Sequence, residues 1–139
     1  MISKKTIYGI QATILLAKRF DSGPVLITDL AREGHFPKKF LEAILLELKK
    51  NGILSSKKGK GGGYVLGKDP KDISVGDIIR TLDGSFSEIF FDEETKETNE
   101  IKIILKEVRD AMSNILDKTS LADVIERASS GQNLLNYVI

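Results

Sequence analysis

The chain contains no cysteine and no tryptophan, and it has a single histidine, His35. Without cysteine it can form no disulfide, no thiolate nucleophile and no zinc or iron–sulfur site built on sulfur ligands. One histidine excludes a metal site that needs two. No apolar run approaches the roughly 18 residues that a membrane-spanning helix requires. We therefore expect a cytoplasmic protein without a metal cofactor or a membrane-spanning segment.

Hydrophobic residues make up 41% of the 139 residues, which is typical of a globular domain with a real core. The net charge of +1 conceals an asymmetry: residues 1–70 carry 13 Lys and Arg against 6 Asp and Glu, whereas residues 71–139 carry 8 against 14. A basic half joined to an acidic half indicates one end that faces a polyanion, although scattered charges on solvated faces remain an alternative.

Apolar spacing and capping signals predict six helices and one hairpin, a mainly α fold with a small β-hairpin. The helices cover about residues 3–19, 28–34, 37–50, 74–84 and 99–118, and a short one follows Ser120. In the first helix one stripe contains Ile7, Ile10, Ile14 and Ala17. Ser74 with Asp77, and Ser120 with Asp123, have the spacing of capping boxes.

The second and third helices have the lengths and short turn of a helix-turn-helix, and the hairpin that follows adds a wing. Thr28 is predicted to cap the second helix, and Pro37 opens the third. The start of the third helix enters the major groove in such modules, so the expected contacts there are Pro37, Lys38, Lys39, Phe40 and Glu42, with Thr28 beside them.

The chemistry of these side chains suits base reading. Lys38 and Lys39 can reach guanine edges or phosphates, and Glu42 can accept a hydrogen bond from a cytosine amino group. The alternative is that all three belong to a solvated helix face. Phe40 is either a core residue or a base contact.

The wing loop, KKGKGGG, places lysines among glycines between the extended runs Ile53–Ser56 and Tyr64–Gly67. Glycine permits close backbone approach to a phosphate chain, and lysine charges release counterions. The predicted contacts are Lys57, Lys58, Lys60, Gly61, Gly62 and Tyr64. A nucleotide-binding loop is a rival interpretation, but neither nucleotide-binding glycine motif is matched. A plain flexible hairpin remains the alternative.

The sequence offers few residues in an arrangement typical of a catalytic site. His35 lies in the predicted turn of the helix-turn-helix, where a capping or backbone-contact role is expected. Residues 85–100 are acidic, and their carboxylates are predicted to form a solvated segment, with weak divalent-cation binding as the alternative (Asp92, Glu93, Glu94, Glu97 and Glu100). We expect no enzymatic activity.

The helix at 99–118 carries an apolar stripe that the first four helices cannot cover entirely, since they already cover one another. Pairing with the same helix of a second subunit would bury the rest and create a two-fold axis. The predicted dimerisation residues are Ile101, Ile104, Leu105, Val108, Met112 and Ile115. We divide the chain into a DNA-binding domain, 1–84, and an acidic-loop, dimerisation and effector-response region, 85–139.

Four segments resemble a known family: Tyr8-Gly-Ile, FLEAILLELKKNGILSSKKGKGGGYVL, ISVGDIIRTLDG and TSLADV. They are similar to the iron–sulfur-cluster-regulator-like family of bacterial winged-helix repressors, over essentially the whole chain. The resemblance implies a homodimer with one recognition helix and wing on each half of a palindromic operator. It also implies transcriptional control by a signal sensed near residues 85–105.

This sequence departs from the family pattern at the positions that would hold a cluster. No cysteine occurs in 85–105, and Ile7 stands where some members have an acidic ligand. Lys58 replaces the usual wing arginine and lacks its bidentate fork. The chain looks most like the clusterless branch, which includes a cysteine-metabolism repressor of Gram-positive bacteria.

The sequence thus predicts a DNA-binding transcriptional regulator, a repressor, that forms a homodimer on double-stranded DNA. A metabolite or a partner protein is its expected effector. The alternative is a winged-helix module that binds protein through the same surface and has no specific DNA binding.

Overall fold

The computed structural model describes residues 2–86 and 98–131. Most of the predicted acidic loop and the apolar C-terminus, LLNYVI, lie outside these residues. The described elements are α1 Lys4–Lys18, α2 Ile27–Gly34, α3 Lys38–Lys50, β1 Leu54–Lys57, β2 Gly63–Leu66, α4 Val75–Asp83, α5 Asn99–Lys118 and α6 Leu121–Ser130. Two short 3-10 turns lie at Phe20–Ser22 and Pro70–Asp72. The predicted fold class, mainly α with a β-hairpin wing, is confirmed.

Helix α1 lies at the centre of the fold and packs against α2, α3, α4, α6 and β2. The predicted stripe was wrong at Ile7, which is 43% exposed, whereas Ala17 is buried and Ile10 and Ile14 pack, half-buried, against the core. The buried positions of the helix are Thr6, Gly9, Ala12, Thr13, Leu16 and Ala17. Close helix packing explains the difference: a Cβ on Gly9 would overlap the side chain of Leu82. Small residues on the buried face let neighbouring helices approach.

The start of α1 is tied to the end of α4. The Ser3 hydroxyl and backbone amide donate hydrogen bonds to the two carboxylate oxygens of Asp83, at 2.6 and 2.9 Å. Partial burial raises the pKa of Asp83, but the hydrogen bonds from Ser3, with smaller contributions from Thr6 and the charge of Lys5, together hold the pKa below its usual value. The carboxylate therefore stays charged at neutral pH and holds both helix ends together.

Helices α2 and α3 form the helix-turn-helix. His35, in the left-handed region at φ 56°, ends α2, and its backbone amide donates to Arg32 O at 3.4 Å. Phe36 turns inward and is 6% exposed. Two predicted start signals were wrong: Leu26, not Thr28, is the N-cap of α2, and Pro37 is the N-cap of α3 rather than its first residue.

The hairpin pairs β1 with β2 in antiparallel register, from Leu54 opposite Leu66 to Lys57 opposite Gly63. Val25, in the segment between α1 and α2, forms an antiparallel bridge to Tyr64 on the other side of β2. The backbone amide of each donates to the carbonyl of the other, at 2.9 and 2.8 Å. The wing is therefore anchored to the segment that leads into the helix-turn-helix.

Helices α4 and α6 begin beside each other, and each has the predicted capping box. Ser74 and Ser120 form an antiparallel bridge, in which Val75 N donates to Thr119 O and Leu121 N donates to Ile73 O, both at 2.9 Å. Leu121 is fully buried in the same core cluster as the residues of α1 and α3. The division at residues 84 and 85 stays a prediction, and α6 shares the core of the N-terminal part.

Helix α5 has the predicted bounds but buries none of its side chains within the described chain. Leu105 and Met112 are half-buried, whereas Ile101, Ile104, Val108 and Ile115 are between 43% and 63% exposed. An ion pair between Arg80 and Asp117 joins α5 to α4. The apolar stripe is thus split: one edge faces the subunit, and the other is left uncovered by the described residues.

Candidate nucleic-acid interface

Helix α3 packs four of its apolar residues against the core and presents charged residues to solvent. Leu41, Ile44, Leu45 and Leu48 are fully buried at 0% exposure. Lys38, Lys39 and Glu42, the predicted reading residues, are exposed. The structure therefore makes the three side chains available together in the first turn and a half of the helix.

Phe40 is not part of the buried core, but its ring contacts another aromatic side chain. It is 38% exposed, and its ring meets the edge of Tyr8 with the centroids 5.5 Å apart and the planes at 79°. Tyr8 also contacts Phe36, at 5.3 Å between centroids. This aromatic group links α1 to the turn and to the start of α3, so Phe40 helps to fix the orientation of the helix.

The wing tip carries three exposed lysines on a glycine framework. Lys57, Lys58 and Lys60 are exposed, and so is Gly61. Gly59 and Gly61 have φ values of 89° and 76°, in the region that favours glycine. The chain is tightly folded back here, because Gly62 N donates to Gly59 O at 3.0 Å and a Cβ on Gly62 would overlap the Lys57 carbonyl oxygen.

Gly62 and Tyr64 are less accessible than the other predicted contacts. Gly62 is buried, and the half-buried Tyr64 packs against the main core. Both backbone groups of Tyr64 that face Val25 are used in the bridge. These two residues shape and anchor the wing, and any contact they make with DNA stays a prediction.

The first turns of α2 and α3 differ from those of the other described helices. Ser3, Ser74, Thr98 and Ser120 accept hydrogen bonds from the first turns of α1, α4, α5 and α6, whereas no side chain caps α2 or α3. Uncapped first-turn amides are donors for which a phosphate oxygen is a suitable acceptor. The exposed Thr28 lies in the first turn of α2.

Acidic side chains of α2 are paired with arginines. Asp29 accepts a hydrogen bond from Arg32 at 2.9 Å, and Glu33 forms an ion pair with Arg19. Their negative charge is thereby offset where the helix-turn-helix would meet a polyanion.

Sequence reasoning missed two exposed apolar residues of α3, Ala43 and Leu46. Their positions alternate with the buried leucines at helical spacing, so the periodicity could have placed them opposite the core. The prediction left them out because contacts with bases and phosphates were expected mainly of charged side chains. The Val25–Tyr64 bridge was also missed, since a single paired residue leaves no pattern in the sequence.

A protein-family model matches residues 2–127: Rrf2, described as an iron-dependent transcriptional regulator. The chain belongs to the Rrf2 family. It is a DNA-binding transcriptional regulator with a winged helix-turn-helix, which confirms the expectation that the sequence resemblance raised.

Two named relatives show how far the similarity extends. The HTH-type transcriptional regulator CymR of Bacillus subtilis is 36% identical over 140 aligned residues, which cover 99% of either chain. The HTH-type regulator IscR of Escherichia coli is 37% identical over 84 residues, which cover 60% of this chain and 52% of IscR. The likeness to CymR thus includes the C-terminal part as well as the winged helix.

Solved structures give the same result. The structure of CymR from B. subtilis, described as the global cysteine regulator, has a TM-score of 0.80 at 35% identity and covers 89% of this chain and 95% of that one. The structure of T. potens IscR has a TM-score of 0.80 at 34% identity and covers 95% and 90%.

The iron named in the family description requires ligands, and the donor set of this Rrf2-family chain does not fit a cysteine-ligated cluster. The sequence has no cysteine and one histidine. Across residues 2–86 and 98–131, no group of three His, Cys, Asp or Glu side chains is placed to hold a metal ion. In the same part of the chain, no helix has both the length and the apolarity to cross a membrane.

Proposed function

We propose that this Rrf2-family protein binds a palindromic operator as a homodimer and represses transcription, with the start of α3 in the major groove and the wing on the adjacent sugar-phosphate backbone. The observation that carries the proposal is the joint exposure of five lysines on α3 and the wing tip, Lys38, Lys39, Lys57, Lys58 and Lys60. Counterion release by such side chains provides much of the free energy of binding to duplex DNA.

The dimer forms through α5. Four apolar residues that the described part of the chain leaves exposed, Ile101, Ile104, Val108 and Ile115, lie on one side of this 20-residue helix. Aliphatic side chains in such a row are stabilised when a second apolar face removes them from water. The same face of a second copy would satisfy this by an isologous contact, and the resulting two-fold axis accounts for a palindromic site.

Regulation proceeds without an iron–sulfur cluster, since the ligands for one are missing from the sequence. A metabolite or a partner protein is the effector. No enzymatic activity is part of the proposal.

Selection of duplexes from a random pool, followed by affinity measurement at fixed salt, tests the DNA-reading role of α3. Glu42→Ala and Lys39→Ala should each lose about 1–3 kcal/mol at particular base pairs and alter the preferred sequence there. Glu107→Ala and Lys102→Ala remove the same charges from exposed positions of α5 and serve as matched controls.

Two outcomes would overturn the proposal. If the wild type enriches no sequence and its binding to duplexes does not depend on salt, the module binds something other than DNA, as a winged-helix protein-interaction module would. If both α3 variants weaken every duplex equally, as the loss of a phosphate contact would, Lys39 and Glu42 position the protein on DNA and do not read bases.

A further inference from the structure

The outermost line of α3 contains two lysines and, between them, two apolar residues. Buried residues occupy positions 41, 44, 45 and 48, so the side opposite the core runs through Lys39, Ala43, Leu46 and Lys50. The spacings of four, three and four residues place all four in one row. All four are exposed, and Leu46 is 46% exposed.

No described element of the chain covers this apolar pair. Leu46 is absent from the partly buried residues that pack against either core cluster within residues 2–86 and 98–131. A single exposed leucine is common on protein surfaces. Here, however, Leu46 lies next to Ala43 in the middle of the solvent-exposed face of α3. A lysine lies at each end of the row.

The charges around the pair identify the kind of surface that covers it. Lys39 and Lys50 flank the apolar pair in the row, and the exposed Glu42 and Lys49 lie four and three residues from Leu46, beside it on the helix surface. An apolar protein partner would leave these ammonium groups without counter-charges, whereas duplex DNA provides phosphates on both sides of the major groove. At the floor of that groove the apolar group available is the C5 methyl of thymine.

We propose that Ala43 and Leu46 read thymine methyl groups in the major groove and so act as specificity-determining residues beside Glu42. The inference rests on the proposed function. The dimensions agree: three residues of an α-helix rise about 4.5 Å, close to the roughly 3.4 Å between successive base pairs. The two side chains can therefore contact thymines in the same or in adjacent base pairs.

Uracil lacks only the C5 methyl of thymine, so it isolates this contact. In the duplex that the wild type selects, each thymine is replaced in turn by uracil, and the dissociation constant is measured at fixed salt. At one or more positions in each half-site the wild type should bind about fourfold more weakly, the factor expected when one methyl-sized apolar group is no longer buried.

Two variants test which side chain contacts the thymine methyl group. Leu46→Ala and Ala43→Ser alter exposed positions and leave the buried face of α3 intact. Each should remove the difference between thymine and uracil at its own base pair. Ile7→Ala, which truncates a branched side chain that is 43% exposed on α1, should keep the wild-type ratio at every position.

The inference is overturned if no uracil substitution weakens the wild type, or if both variants retain its full thymine preference. Either result leaves the proposed function standing, because sequence selection and salt-dependent binding would persist. A wild type that retains no duplex at low salt would overturn the proposed function and this inference with it.

Discussion

Val25 and Tyr64 exchange both backbone hydrogen bonds and thereby fasten the wing to the strand-like segment in front of α2. Neighbouring Gly63 packs directly on this bridge, because a Cβ there would overlap the Val25 carbonyl. The base of the hairpin is therefore held by main-chain contacts, while its tip carries the lysines.

A side chain at Gly63 should disturb the wing more than one at the tip. Gly63 and Gly59 both have positive φ, 140° and 89°, but Gly59 has open space around it. Gly63→Ala and Gly59→Ala therefore share a backbone cost of about 1 kcal/mol, and only the first adds a main-chain overlap. Denaturant unfolding should show Gly63→Ala to be the less stable variant. Equal destabilisation would show that the bridge does not constrain this position.

The wing lysines should act on phosphates. Replacing Lys57, Lys58 and Lys60 by Ala should reduce the slope of log K against log salt by about 0.9 for each phosphate that is no longer neutralised, roughly 2–3 in all, and should weaken binding to unrelated duplexes as well. Lys18, Lys102 and Lys106 are also exposed, and their triple alanine variant controls for net charge. An unchanged slope in the wing variant would remove the wing from the interface.

A charge in the uncovered row of α5 should separate the subunits. Val108→Asp places two carboxylates near the two-fold axis and should raise the dimer dissociation constant by at least about 100-fold, because an unpaired buried charge costs about 3–5 kcal/mol. Asn114→Asp adds the same charge off the row and should leave the dimer intact. Sedimentation at micromolar concentration measures both. A monomeric wild type, or a Val108→Asp dimer that still binds the operator, contradicts the assignment.

Operator binding should not depend on iron. This expectation rests on the absence of cysteine from the whole sequence. Protein purified without oxygen should be colourless, and chelators should leave its affinity for DNA unchanged. A visible charge-transfer band together with near-stoichiometric iron would disprove this.

Local signals predicted the elements well because they depend on a few neighbouring residues. Helix α5 has the predicted bounds, and both capping boxes form as the Ser-x-x-Asp spacing indicated. The start of α2 was misplaced because a hydroxyl at Thr28 is only one of several ways to begin a helix. In the structure the carbonyl of Leu26 accepts the first hydrogen bonds instead.

Side chains that depend on distant contacts were harder to assign. The apolar stripe predicted for α1 points outward in part, because α4 and α3 approach the helix closely at Gly9, through the side chains of Leu82 and Ile44. The lysines of the proposed DNA interface could be found by their charge. Ala43 and Leu46 became candidates only when their exposure was known.

The sequence by itself determined the class of protein: spacing and turn residues specify a winged helix-turn-helix, and the missing cysteines exclude a sulfur-ligated cluster. Both follow from short-range geometry or from composition. The tertiary structure decided which face of each helix is covered. Leu121 of α6 is buried in the common core, Val25 anchors the wing, and one edge of the α5 stripe is exposed among the residues that the structure describes. Burial depends on which elements pack together, and the spacing of hydrophobic residues along one helix does not specify which other elements pack against it.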